Sequence, residues 1–326
     1  MYVLSNNDIV RKLNGDRDPV REQYVSVSLQ PMWKGAPVPA LPPQALWDLE
    51  SLNIAKAWLT YGIKGQGANV YVIDSGVEKT HISLAKQKIE MQSFVPSMDA
   101  ADGFGHGTWV AAKIGGQGVG VAPRCNLTCL RSLDGSGTGS ADWTTAALEW
   151  ICDQPDPHVV NMSLSSPIRT PRQEKFINRL HDMGVLVVAA AGNYGSDSLL
   201  YPAAFENALA VAAIDSKKNR ASFSEYGNFV DICAPGVNCY SAFLGGTYRC
   251  MDGTSMATPI VSGVLALGWS LLLAKNPGIN RKKARDILLK TINATADDLG
   301  AVGRDPYFGY GDVDALSFLG SLNQIK

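Results

Sequence analysis

The stretch Ala68-Asn69-Val70-Tyr71-Val72-Ile73-Asp74-Ser75-Gly76-Val77 decides the fold. Its apolar run from Val70 to Ile73 shows no polar alternation, so it suits a strand covered on both faces. The run stops at a carboxylate, Asp74, followed by the turn-forming pair Ser75-Gly76. Four further runs after it in the chain read as strands. They are Leu127 to Leu130, Val159-Val160 leading into Asn161-Met162-Ser163, Val185 to Ala191 ending at Gly192-Asn193, and Ala208 to Ile214. Helical patterns lie between them, from Ala141 to Ile151 and from Arg172 to Met183. In the second, Phe176, Ile177 and Leu180 fall at helical spacing and Gly184 is placed as a C-terminal cap. Strands alternating with helices predict an α/β fold, a mostly parallel sheet with helices on both faces, and 326 residues suffice for one large domain or two smaller ones. Ligands of such sheets sit beyond the carboxyl ends of the strands, and Asp74 and Asn193 both fall at such ends.

The bulk properties narrow the choice of partners. Hydrophobic residues make up 46% and charged residues 18% of the 326 residues, an ordinary globular balance. Lys plus Arg total 29 against 30 acidic residues, and a net charge of -1 gives no electrostatic reason to expect nucleic acid or an anionic membrane. Six cysteines without a CxxC spacing argue against a structural zinc site and against a disulfide scaffold. From Met256 to Ala274 there is no charge, but Pro259, Ser262, Gly263, Gly268 and Ser270 interrupt the run. A buried core helix is the expectation there, and no membrane span. Residues 1–42 read as an N-terminal extension, polar at first and then rich in proline, and residues 43–326 as the catalytic domain. Met1 to Asp18 has no apolar h-region, so no secretory signal is visible. The expectation is a cytoplasmic protein if the chain is complete and a secreted one if a leader has been removed.

Three local motifs carry chemistry. Asp74 ends a strand in VIDSGV, His106 stands in GHGT before the apolar run WVAAKI, and Ser255 stands in GTSMATP before the uncharged helix. Alone, each has a bland reading: a turn aspartate, a surface or capping histidine, a helix N-cap serine. Together, in that order, they match one of the chain orders in which a nucleophilic serine, its base and an orienting carboxylate occur. A serine hydroxyl is a weak nucleophile, so a neutral imidazole must take its proton, and an anion behind the imidazole fixes the tautomer and stabilises the imidazolium. Ser255 at a helix start gains from the dipole and the exposed N–H groups. Asn193 in AAAGN is either a turn residue or an oxyanion donor acting with the Ser255 backbone N–H.

VIDSGV, GHGT, Ser163-Leu164, AAAGN and GTSMATP stand in the order of the subtilisin family, which the chain resembles from about Ala45 to about Leu316, including the closing FGYGDVDA. ASFSEYGNFVDICAPG resembles the proteinase K branch. The resemblance implies a single subtilisin-like catalytic domain and a serine endopeptidase acting on proteins or peptides through Asp74, His106, Ser255 and Asn193, with no cofactor needed for the chemistry. A peptide ligase or macrocyclase is the alternative use of the same acyl-enzyme, and a binding-only pseudoprotease the second. By resemblance the substrate cleft is lined by Ser163-Leu164-Ser165, with Ser165 where glycine is usual, and by Gly135-Ser136-Gly137. Gly192 and Leu200 stand at the P1 pocket. A leucine there implies a shallow pocket for small or medium side chains, unless it points into the core. Trp109 replaces a second histidine usual after H-G-T, at a position outside the triad. The proteinase K branch implies a structural Ca²⁺ on a carboxylate matching Asp231, with carbonyls near Glu206 and Ala208; Asp231 as a turn or capping residue is the other reading.

Two expectations concern the rest. Cys239 and Cys250 flank SAFLGGTYR, and a hairpin turn at Gly245-Gly246 would set them opposite each other, within disulfide range. Val25-Ser26-Val27-Ser28-Leu29 alternates as a strand that can add to an exposed sheet edge. The extension thus reads as a possible short pro-segment, like the one over the cleft in intracellular subtilisins, or else as a plain leader or structural arm.

Overall fold

The apolar runs become strands in the computed structural model, which describes residues 26–28 and 46–325. In chain order the elements are β1 (Ser26–Ser28), α1 (Trp47–Ser51), α2 (Ile54–Tyr61), β2 (Asn69–Asp74), β3 (Ile89–Ser93), α3 (His106–Gly115), β4 (Asn126–Arg131), β5 (Thr138–Ser140), α4 (Ala141–Cys152), β6 (Val159–Met162) and α5 (Pro171–Asp182). They continue with β7 (Leu186–Ala190), β8 (Ala208–Ile214), β9 (Ile232–Pro235), β10 (Cys239–Phe243), β11 (Thr247–Met251), α6 (Thr254–Lys275), α7 (Arg281–Thr295) and α8 (Ala315–Gln324).

Seven strands form one sheet in the order β3-β4-β2-β6-β7-β8-β9, every neighbouring pair parallel. β2 has β4 on one side and β6 on the other, so the strand order reverses beside it. That reversal opens a crevice beyond the carboxyl end of β2, where Asp74 stands. One face of the sheet packs on α3 and α6, where Trp109, Val110, Ile114, Ile260, Val264 and Trp269 are buried. The other packs on α4 and α5 through Leu148, Ile151, Phe176, Ile177 and Leu180. Cover on both faces explains why the strands carry unbroken apolar runs. Gly184 closes α5 at φ +87°, as its position after the periodic run predicts.

Helix α6 is long and apolar enough to cross a membrane, with a mean hydropathy of 1.8, yet 94% of that window is buried inside the protein. It is the core helix expected from the sequence. At its side, Lys113 of α3 pairs with Asp48 of α1 at 2.5 Å, both side chains wholly buried. Removing either partner would strand a charge in the core, at a cost of about 3–5 kcal/mol. The pair thus ties the start of the domain to the helix that begins at His106.

Two strands and one register differ from the sequence reading. β3 alternates in burial along a sheet edge and β9 has four residues, so neither gives a long apolar run. The hairpin β10–β11 forms at Gly245 and Gly246, both at positive φ. However, Cys239 faces Met251 and Cys250 faces Tyr240, so the two cysteines are not opposite each other. The loop from Leu244 to Gly246 has odd parity, and a one-residue offset turns the two side chains to opposite faces. All six cysteines are free thiols.

Candidate active site

Asp74 is the last residue of β2 and His106 the first of α3, and both are buried. Nδ1 of His106 lies 2.9 Å from each carboxylate oxygen of Asp74. With Nδ1 donating to this carboxylate, a neutral imidazole presents Nε2 as its acceptor nitrogen. Nε2 is buried and has no hydrogen-bond partner among the described residues.

The close approach is built into the backbone. A Cβ on Gly107 would lie 2.2 Å from the Gly76 carbonyl oxygen, so only glycine lets the start of α3 press against the β2 turn. The backbone N–H of Gly107 donates to Ser75 Oγ, which donates in turn to Asp102. Asp102 also accepts from the backbone of Phe104, Gly105 and Thr108 and from the Thr108 hydroxyl. Asp102 is therefore the hub that holds the His106 turn against the Asp74 turn. Its sequence signal is only an aspartate before a glycine turn, in ADGFGHGT.

Ser255 is the second residue of α6, and α3 packs against this helix. Its hydroxyl donates to the Ser163 carbonyl at 3.1 Å, and the Ser163 hydroxyl donates to the Ser255 carbonyl at 3.0 Å. Ser255 and His106 are not hydrogen-bonded to each other in this rotamer: the serine hydroxyl goes to Ser163, and His106 Nε2 has no partner among the described residues. Such bonds commonly tighten only when substrate is bound.

Asn193 follows β7, and its side-chain oxygen accepts from the backbone N–H of Thr254 at 2.8 Å and from the Thr254 hydroxyl at 3.0 Å. With the oxygen held there, Nδ2 is turned toward Gly253, 3.6 Å from where a Cβ on that residue would stand. Thr254 also receives the Gly192 N–H on its hydroxyl. It lies inside the GTSMATP motif, but its grip on Asn193 spans distant sequence and had no local signal.

The remaining sequence candidates divide. Gly192, at φ +122°, faces Leu200, whose Cδ1 would be 2.2 Å from a Cβ on the glycine. Leu200 is buried, so it fills the base beneath Gly192. Ser163 and Leu164 are buried just after β6, and Ser165 is half-buried. Gly135 and Ser136 are exposed just before β5, while Gly137 is buried at φ +75° against the Phe104 ring. Trp109 is buried, and its ring N–H donates to the Arg249 carbonyl. β1 pairs antiparallel with β5, with Ser26 opposite Ser140, Val27 opposite Gly139 and Ser28 opposite Thr138.

Asp231 lies apart from this cluster, on a cavity shared with Glu206 and Ala208. One of its oxygens accepts the Ala210 N–H, and the other accepts from Arg304 at 3.1 Å. The donor set fits Ca²⁺ poorly, because a guanidinium already meets the carboxylate charge. Among the described residues, no group of three or more His, Cys, Asp or Glu side chains is arranged for a metal.

A parallel sheet with a buried Asp–His pair at the carboxyl end of β2, and a serine opening the core helix, defines a class: the subtilisin-type serine proteases. Comparison with known proteins agrees. Residues 65–311 match the subtilase family. The chain is 42% identical over 275 residues to Subtilisin Savinase of Lederbergia lenta, covering 82% of this chain and 96% of that one. It is 41% identical to Subtilisin BL of the same organism over the same shares. M-protease of Shouchella clausii (strain KSM-K16) is 40% identical, with 82% of this chain and 68% of that protein covered. The chain belongs to the subtilase family, and within it is a serine endopeptidase whose substrates are proteins.

Proposed function

We propose that the chain hydrolyses peptide bonds through an acyl-enzyme on Ser255. The observation that carries this reading is the buried Asp74–His106 pair, with both contacts at 2.9 Å and the acceptor nitrogen Nε2 left over. Rotation of the Ser255 hydroxyl from the Ser163 carbonyl toward Nε2 forms the nucleophile–base bond. His106 then takes the serine proton during attack and returns it to the leaving amine, while Asp74 holds the tautomer and stabilises the imidazolium. The Asn193 side-chain amide and the Ser255 backbone N–H receive the oxyanion. Substrate lies between Ser163-Leu164-Ser165 and Gly135-Ser136-Gly137, with its P1 side chain toward Gly192 and Leu200. The buried leucine limits the depth there, which favours small or medium P1 residues.

Residues 1–42 belong to this reading as a pro-segment. The support is the antiparallel pairing of β1 with β5, beside the proposed cleft loop.

The test is cleavage of a peptide library by the wild type and by Ser255→Ala. The wild type should cut after small or medium residues, and the variant should lose turnover by several orders of magnitude. Retention of more than a few per cent of the rate, as a rough bound, would sink the Ser255 assignment. A strong preference for Phe or Tyr at P1 would sink the pocket assignment.

A further inference from the structure

Glu225 is buried in full, and the chemistry described so far makes no use of it. Its position is unusual for a carboxylate, because its stem lies against Gly192: a Cβ on that glycine would be 2.6 Å from Glu225 Cγ. Its carboxylate accepts from the backbone N–H groups of Tyr194 and Ser196 and from the Ser196 hydroxyl. Those donors belong to the turn that begins at Asn193.

The backbone around it is laced to the same turn. Glu225 N–H donates to the Gly192 carbonyl at 3.0 Å, Gly195 N–H to Phe223 at 2.7 Å, and Tyr226 N–H to Ser196 at 3.0 Å. Gly195 has φ +70°, and a Cβ on it would stand 2.5 Å from the Ser222 carbonyl oxygen. The strap at 222–226 is itself fixed to β8, because Ser224 Oγ accepts the Ala213 N–H. A rigid path therefore runs from the sheet through Glu225 to the backbone of Asn193, while Thr254 holds its side chain. Burial raises the Glu225 carboxyl above its ordinary range, opposed by the Ser196 and Tyr194 donors and by Arg220.

We infer that Glu225 is a positioning residue for the oxyanion hole: its carboxylate is the acceptor on which the Asn193–Ser196 turn hangs. This rests on Asn193 being the oxyanion donor, as proposed above. The Ser196 N–H meets one carboxylate oxygen and the Ser196 hydroxyl the other, and the Tyr194 N–H is a third donor to the same carboxylate. A carboxamide offers one acceptor and turns its NH₂ against the other donor, so Glu225→Gln should slacken the turn without changing side-chain volume.

The experiment is a double-mutant cycle of Glu225→Gln and Asn193→Ala, read by kcat, KM and the affinity for a peptide boronic acid. Glu225→Gln should lower kcat about 10-fold, against the 100- to 1,000-fold typical of losing the donor itself. It should weaken boronate binding in parallel and move KM by no more than about twofold, because the misplaced donor acts in the transition state. In the Asn193→Ala background the same change should have almost no effect on kcat. An equal loss in both backgrounds, or an unchanged kcat with a lowered Tm, overturns the positioning role alone. An Asn193→Ala enzyme with unaltered kcat overturns the oxyanion assignment and the positioning role with it. If Glu225→Gln does not fold, Ser196→Ala, which removes one of the three contacts, carries the same cycle with a smaller expected loss.

Discussion

Asp312 shows how a single residue can set the pH response. It is 2% exposed, its Oδ1 has no hydrogen-bond partner among the described residues, and its Oδ2 lies 3.3 Å from Lys218 Nζ. Burial raises its carboxyl from 3.8 to about 7, with Lys218 opposing the shift and Asp297 and Asp314 adding to it. In the window from about 4 to about 7 the folded protein therefore holds a proton that the unfolded chain has lost. Stability falls as pH rises through that window and is flat above it, by up to about 4 kcal/mol from this group. Asp312→Asn should remove that slope, so urea melts in a Ser255→Ala background should gain more from the substitution at pH 8 than at pH 4.5. An equal gain at both pH values contradicts the assignment. Residues differ in how far sequence reveals them. Asp74, His106, Asn193 and Ser255 stand out as candidates in the sequence because each sits at an element boundary inside a local pattern. Asp102, Thr254, Glu225 and Asp312 do not, because each acts on residues that folding alone brings near, and an isolated Asp, Glu or Thr carries no local signature.

At the scale of elements, continuous apolar runs placed the central strands, while β3 and β9 escaped for lack of such a run. The β10–β11 hairpin is the instructive case. The glycine pair correctly marked the turn, since both residues take positive φ. Register, however, depends on the parity of the loop, and a two-glycine signal does not count the third residue, Leu244. One position of slip separates a cross-strand pair from two side chains on opposite faces. Alkylation in denaturant without reductant should accordingly add six labels to the intact mass, one for each free cysteine. In the native protein Cys250, half-buried, should react before the other five, which are buried. A mass showing four labels would instead report a bridge.

For the whole molecule, the question is how a protease core coexists with its own chain. The buried Lys113–Asp48 pair ties α1 to the helix that begins at His106. Ahead of that pair in the sequence, Ser26–Ser28 adds an antiparallel strand to Thr138–Ser140, next to the loop Gly135-Ser136-Gly137 proposed above to line the cleft. Backbone pairing of this kind is how an extended peptide is held at a sheet edge, so on the proposed cleft assignment the chain would engage its own cleft wall in the mode expected of substrate. Proline at position 31 fixes φ and lacks an N–H, which would let the proposed pro-segment resist cleavage. His106 and Ser255 are almost without solvent exposure, and the serine hydroxyl is bonded away from its base. On the proposal that residues 1–42 are a pro-segment, the full chain is a slow enzyme, and a chain beginning near Leu41 is fast. The tethered strand competes at high effective concentration, so its removal should raise the rate on a short peptide substrate at least about 10-fold. Progress curves of the full chain should show a lag that shortens when active enzyme is added. Equal rates of the two chains at equal active-site concentration, titrated with a fluorophosphonate, would leave β1 as a structural arm and end the masking proposal.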